Sequence, residues 1–292
     1  EKLIKAPIYL SVGQEAIASA LSVSYEKPFI FGQHRAHDLY LAYGGDPSGL
    51  IDELLHRETV CARGMGGSAS IHSPAIGMFG HSGHMGDQIP IAVGFALGSG
   101  KNVLAVMGDA SAEEDYVLGA LGYAAHKKVP VLFVCADNNL SILTKVAVRR
   151  NWKMAEVAAG FGLKSAEITD DPWLIMHHVN NLKNNLPAFI NIHTVRTLWH
   201  SGTGTGGPME WDRFELIKNE LARLGLQDQE ADVADHLAGK GALSGQELVD
   251  HAPQAPQVGL DPDLLALDHL GRHVVGAPHD APRLRDARPL QH

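Results

Sequence analysis

Two polar clusters, set apart by a helix-length segment, carry most of the chemistry in this sequence: Gly108-Asp109-Ala110-Ser111 and Asp137-Asn138-Asn139. The Asp109 carboxylate and the Asn138 amide oxygen are hard donors. Beside the free N–H groups that open a helix, they suit a divalent cation carrying a diphosphate. His34-Arg35-Ala36-His37 adds a guanidinium that can clamp a phosphate through two parallel hydrogen bonds, or equally form a surface ion pair. Cys61 to His72 (CARGMGGSASIH) is too rich in glycine for a regular helix, and its backbone can approach a ligand closely, which makes His72 a candidate active-site residue. His72, His81 and His84 invite a zinc reading, but their spacing matches no usual structural site and only distant Cys61 could join them. Gly-Asp and Asn-Asn also end ordinary strands and begin ordinary turns, so neither polar cluster decides the matter alone.

The elements around these residues determine where they stand. Val103–Gly108 and Val129–Ala136 are apolar, β-branched runs, and they read as buried strands of one parallel sheet joined by a crossover helix. That arrangement sets Asp109 and Asn138 side by side at the strands' carboxyl ends, the edge where open α/β sheets bind ligands. Upstream, Gly13-Gln14-Glu15-Ala16 opens a helix that reads as a packing element with Gln14 and Glu15 in hydrogen bonds. Phe29–Gly32 is a short strand, and the small-residue run IAVGFALGSG from Ile91 is a helix expected to lie buried beneath the ligand. Downstream, a helix over 152–160 and a strand over 163–168 precede a helix opened by Asp171-Pro172, with Asp as cap and Pro in the first turn. A strand over 187–195 runs into Arg196 to Ser201 and a glycine-rich, mobile loop, GTGTGGP, before an amphipathic helix over 211–224. Strands alternating with helices from 29 to 195 predict an α/β fold built on a doubly wound, mostly parallel sheet.

Composition narrows the function classes. Across 292 residues, 45% apolar content suits a substantial core, and a net charge of −9 with no strong basic block argues against nucleic acid as a partner. No apolar run is long enough to span a bilayer, so no membrane partner is expected, and no signal peptide opens the chain. Two cysteines, Cys61 and Cys135, exclude a disulfide scaffold and suit a reducing cytoplasm. The chain opens on Glu rather than Met, which suggests that the natural N-terminus lies further upstream. Past Leu226 the apolar runs shorten, Pro and Gln increase, and six of the 17 histidines gather. The expected organisation is a diphosphate-binding domain over 1–226 and a weakly ordered or partner-contacting extension over 227–292, with one short helix near 261–270.

From about residue 9 to 235 the chain resembles the alpha subunits of thiamine-diphosphate-dependent 2-oxo acid dehydrogenases, the decarboxylating components of the pyruvate, branched-chain and acetoin enzymes. The signals fall in family order: GQEA at Gly13, an Arg-x-His element at His34, Gly-Gly-Ser-x-x-His at Gly66, Gly-x-Met-Gly-x-Gln-x-Pro at Gly83, Gly-Asp at Gly108, Asn138, and Thr-x-Arg-x-x-x-His-Ser at Thr194. The resemblance implies thiamine diphosphate and Mg2+ as cofactors. It gives His34 and Arg35 the diphosphate, and Gly83 and Met85 the aminopyrimidine. It sets Ala110 and Ser111 beside the cofactor, and gives the cation to Asp109, Asn138 and the carbonyl of Leu140. Arg196 and His200 match the loop that closes over the cofactor, with His200 as the active-site histidine and His72 close by. It further implies a beta-type subunit that supplies the pyrimidine-binding domain and the activating Glu, and a lipoyl-bearing acyltransferase as acyl acceptor.

Two departures touch the activity. The family's Glu-Ala-Leu-Asn-Phe-Ala segment in the crossover helix is Gly119-Ala120-Leu121-Gly122-Tyr123-Ala124 here, and both polar residues are glycine. That change removes a Glu which links paired sites in the family, and it keeps open a split enzyme that forms C–C bonds or transfers a ketol, and a non-catalytic cofactor-binding paralogue. Ala110 stands where the family has a third glycine, which matters only if that position needs a positive φ.

Overall fold

Strand formation follows the alternation of side chains. In Val103–Gly108, Leu104 and Val106 join one buried cluster while Val103, Ala105 and Met107 join another, so the strand is apolar on both faces and sits inside a two-sided layer. The structure is a computed structural model that describes residues 4, 7–58, 61–202, 204 and 209–226. The expected extension over 227–292, the helix near 261–270 and most of the glycine-rich loop after Gly202 lie outside the described residues.

In chain order the elements are α1 (Glu15–Ser24), β1 (Phe29–Gln33), α2 (His37–Ala42), α3 (Pro47–Leu54), β2 (Met78–Ser82), α4 (Gln88–Ser99), β3 (Val103–Gly108), α5 (Asp115–Lys127), β4 (Val131–Asp137), β5 (Leu140–Ser141), β6 (Thr144–Lys145), α6 (Val146–Arg149), α7 (Met154–Gly160), β7 (Lys164–Thr169), α8 (Pro172–Leu182), β8 (Ala188–His193) and α9 (Arg213–Arg223). Six strands form one sheet in the order β2-β1-β3-β4-β8-β7, and every pairing in it is parallel. β5 and β6 form a separate small antiparallel hairpin. Residues of α1, α2 and α8 cover one face of the sheet, and residues of α4, α5 and α7 cover the other, which bears out the doubly wound α/β expectation. The chain leaves β1 for β2 on one side and returns to β3 on the other. The reversal of strand order therefore falls between β1 and β3, where such sheets open a crevice at their carboxyl ends.

Six elements went unread in the sequence: β2, α2, α3, β5, β6 and α6. β2 carries Gly80 where the Phe31 ring of β1 crosses it; a Cβ there would lie 2.2 Å from Phe31 Cδ1. α3 is capped by Asp46, whose carboxylate accepts the N–H groups of Ser48 (3.2 Å) and Gly49 (2.8 Å), with Pro47 in the first turn. α2 is a short helix that buries His37, Leu39 and Tyr40. One expectation needs correction. α4 buries Ile89, Ala92, Val93 and Ala96 against the sheet but leaves Ile91 58% and Leu97 48% exposed, so only one of its faces is covered and it does not lie wholly beneath a ligand.

Candidate active site

At the reversal point the loops leaving β1, β2, β3, β4 and β8 enclose a cleft of about 260 Å3. It is lined by His34 and Arg35 after β1, Gly83 and Met85 after β2, Asp109, Ala110 and Ser111 after β3, Asn138 and Leu140 after β4, and Arg196 and His200 after β8. One candidate stays outside. His72 is exposed, and its Nδ1 lies 2.8 Å from the Phe79 carbonyl. The glycine-rich segment before it is shaped instead by Glu53. That fully buried carboxylate accepts the N–H groups of Ala62 and Gly64 at 3.0 Å each and of Gly66 at 2.8 Å. The loop then presents Ser68, whose Oγ accepts the Tyr9 N–H at 2.8 Å and lies 3.0 Å from His37 Nε2. The histidines that invited a zinc reading do not gather. Buried His81 accepts the Ile71 N–H on Nδ1, burial pushes its pKa down to about 3, and no cluster of metal-ligating side chains is present among the described residues.

The β1 and β8 side of the cleft is cationic. Arg35 donates to the carbonyls of Leu10 (2.6 Å) and His200 (2.8 Å), and Arg196 donates to those of Leu198 (3.0 Å) and Ile142 (2.8 Å). Neither guanidinium has a carboxylate within ion-pair distance among the described residues, so both positive charges stay available to an anion. Burial, aided by Arg196, lowers the Arg35 pKa to about 10, which still leaves it charged at neutral pH. Tyr9, His34 and His200 form a ring cluster: Tyr9 lies 4.7 Å from His34 and 5.4 Å from His200, and the two histidines are 5.5 Å apart. Burial first and then Arg35 push His34 down to about 3; the same two causes and Arg196 lower His200. Both imidazoles are therefore neutral near pH 7. Among the described residues, His34 Nε2 and Gln14 Oε1 are buried without a hydrogen-bond partner and belong to residues lining the cleft. Such orphaned groups call for a polar ligand. Asp38 lines the cleft too, with burial raising its carboxyl to about 7 although its Oδ1 accepts the Leu39 N–H (2.9 Å).

This wall is assembled from segments distant in sequence. Residues 8–13 run along the stretch after β8: the Thr197 N–H donates to the Val12 carbonyl (3.1 Å), and the Gly202 N–H to that of Ile8 (2.7 Å). Gly13 sits at φ +96° with no room for a side chain, since a Cβ would fall 2.6 Å from Thr197 Oγ1 and 2.7 Å from the Val195 carbonyl oxygen.

The β3 and β4 side is built differently. Asp109 and Asn138 do stand together at neighbouring strand ends, as the two apolar runs predict. The Asp109 carboxylate, however, is ion-paired through Oδ2 with Arg149 of α6. Arg149 also donates to Glu113 (Nε, 3.2 Å) and to the Thr144 carbonyl (3.0 Å). Arg150 donates to Glu113 (2.9 Å) and to the Asp109 carbonyl (3.1 Å), stands 3.8 Å from Asp137, and lies over the Trp152 ring at 4.9 Å. Burial, then Asp137, raises the Asp109 pKa, while Arg149 opposes the rise. The Asn138 Oδ1 accepts the Leu140 N–H at 3.2 Å. Arg149 and Arg150 went unread in the sequence; the only signal was a pair of adjacent arginines about ten residues past the Asn-Asn strand end.

With this geometry in place, the comparisons decide the family. The model of the family described as "Dehydrogenase E1 component" matches residues 2–240. The chain belongs to that family. Among relatives, the pyruvate dehydrogenase E1 component subunit alpha of Zymomonas mobilis is 32% identical over 169 residues, covering 55% of this chain and 48% of the relative. The mitochondrial counterpart from Dictyostelium discoideum is 33% identical over 150 residues, covering 49% and 39%, and the E1 component subunit alpha of Rickettsia bellii is 26% identical over 250 residues, covering 78% and 75%. The chain thus spans about half or less of the first two relatives. A transketolase from Campylobacter jejuni superposes with a TM-score of 0.53 at 17% identity, covering 82% of this chain and 45% of that one, which is a likeness of fold. For an E1-family chain, the cleft at the β1/β3 reversal is the place to look for the cofactor.

Proposed function

We propose that this chain is the alpha-type, thiamine-diphosphate-binding half of a two-chain enzyme that decarboxylates a 2-oxo acid, or cleaves an acyloin, and passes the acyl unit to a lipoyl-bearing partner. The observation that carries the reading is the set of groups lining one cleft: two guanidiniums without carboxylate partners, and a His34 Nε2 without a hydrogen-bond partner, among the described residues. These groups fit a diphosphate, because a buried fork of N–H donors is the usual receptor for phosphate oxygens. Gly83 and Met85 edge the cleft where an aromatic ring can pack, and Met85 is anchored through its carbonyl by the Tyr116 hydroxyl.

When bound, thiamine diphosphate supplies an electron sink for the carbon that loses carbon dioxide. The chain's own residues bind, orient and handle protons. Arg35 and Arg196 hold the anionic end, and their backbone anchors keep them from swinging away. His200, neutral because burial and two arginines oppose its charging, can accept a proton at the cleft mouth and return it during acyl transfer. Leu140 and Ile142 give the mouth apolar surface that helps exclude water. Activation of the aminopyrimidine falls, in this reading, to a Glu of the beta-type partner. Magnesium, which the resemblance assigns to Asp109, Asn138 and the Leu140 carbonyl, does not fit the donor set: its one carboxylate is paired with Arg149 and the amide oxygen is engaged by the Leu140 N–H. Two buried cysteines, with no disulfide between them, suit a reducing compartment, the cytoplasm in this reading.

Co-expression with a beta-type subunit should give carbon dioxide release from one member of a 2-oxo acid panel, coupled to an artificial electron acceptor, only when both chains are present. Silence across the panel and with acetoin would count against the assignment. A new carbon–carbon bond in the product, in place of acyl-lipoyl, would move it to the split bond-forming enzyme that Gly119 and Gly122 keep open. Cofactor retained without turnover would mark a non-catalytic paralogue.

A further inference from the structure

The ion pair at Asp109 is the strongest feature that the proposed function leaves unused. A carboxylate that serves a divalent cation needs its charge and lone pairs free. Here Arg149 takes Oδ2, and its other N–H groups go to Glu113 and the Thr144 carbonyl. Arg150 closes the same cluster through Glu113 and the Asp109 carbonyl. The arrangement is buried: the Arg149, Asp109 and Arg150 side chains are 14%, 3% and 3% exposed. A guanidinium so held is not a loose surface group. Releasing it from Asp109 to admit a cation would set two like charges side by side in a site largely closed to water.

We propose that Arg149 is the built-in counter-ion of Asp109 and takes the part a divalent cation would play, so that this chain binds the diphosphate of its cofactor without an obligatory metal. The inference rests on the thiamine diphosphate reading above. Its charge balance is self-consistent. Asp109 alone at the sheet edge would repel a diphosphate; neutralised by Arg149 it does not, and Arg35 and Arg196 then attract the anion unopposed. Arg149 does not line the cleft and acts through Asp109, so it is a positioning residue. Nothing in its role needs an extra reactant, because no bond is made or broken.

The test is calorimetric titration of thiamine diphosphate into the full chain assembled with its beta-type partner, in EDTA and again with magnesium, for the wild type, Arg149→Gln and Arg149→Lys. Wild-type affinity is expected to change less than about threefold between the two conditions. Arg149→Gln should lose about tenfold or more in EDTA and recover it with magnesium, and only this variant should take up manganese, read by electron paramagnetic resonance. Arg149→Lys keeps the charge and should track the wild type. A wild type that loses about tenfold or more in EDTA, or that binds manganese as Arg149→Gln does, overturns the proposal. The EDTA arm on the wild type decides alone if Arg149→Gln does not fold. A wild type that binds no thiamine diphosphate under either condition removes the cofactor reading itself and this inference with it.

Discussion

Arg35 and Arg196 on one side of the cleft, and Arg149 and Arg150 on the other, are the same side chain put to opposite uses. The first pair is held by main-chain carbonyls, which are dipoles and leave the net charge intact. The second pair is held by Asp109, Glu113 and Asp137, which cancel it. An arginine anchored by backbone is a receptor for an incoming anion, while an arginine anchored by carboxylates is structural ballast that sets the local field. Counting basic residues around a pocket would miss this, because four guanidiniums amount to about two usable charges.

Glu53 is the anionic counterpart on this side, a buried carboxylate that accepts the main-chain N–H groups of Ala62, Gly64 and Gly66. If backbone anchoring is what fixes this side of the molecule, Glu53→Ala should give the largest effect. It should lower stability by about 3 kcal/mol, read as a fall in urea midpoint, since three charge-assisted bonds in a dry site are lost together. A fall below about 1 kcal/mol would mean that the loop holds itself. Next in size, Arg35→Met keeps the apolar stem but removes the fork; thiamine diphosphate affinity should drop about a hundredfold by calorimetry, and an unchanged affinity would end the distinction between the two arginine pairs. The smallest effect concerns Asp38. Its folded carboxyl titrates at about 7 because burial opposes ionisation. An unfolded aspartate titrates near 3.9, so between about pH 4 and 7 the folded state holds the extra proton and stability falls as pH rises. Asp38→Asn should flatten that decline between about pH 4 and 7, with the variant's urea midpoint above the wild type's at the upper end. A wild-type midpoint that rises across the window would reverse the sign and sink the assignment.

What the sequence made legible was set by periodicity. β3 and β4 are continuous apolar runs, so Asp109 and Asn138 were placed at adjacent strand ends from pattern alone, and the β1 exit followed from Phe29–Gly32. β2 was illegible because MFGHS alternates nothing; it is a strand because β1 offers it a partner and Phe31 needs the space above Gly80. α3 was legible but unread: Asp46-Pro47 is the same cap-and-proline signal that correctly opened α8 at Asp171-Pro172. The site was read through family residues and so lacked the groups outside the motifs. Arg149 reaches Asp109 only through the β5–β6 hairpin, a tertiary detour that no spacing rule describes. His72 falls outside the cleft lining for the converse reason, since glycine density marked a loop coiled around Glu53.

The seam between residues 8–13 and 195–202 has a consequence for tolerance to length. Each rung fixes one residue against a specific partner far along the chain, and Gly13 locks the phase by leaving no gap for a methyl group. Insertion or deletion of a single residue between Ile8 and Gly13 would throw every rung out of step. It would drag Tyr9 from its imidazole neighbours and leave Arg35 without its Leu10 tether, although no residue of the cleft itself had been altered.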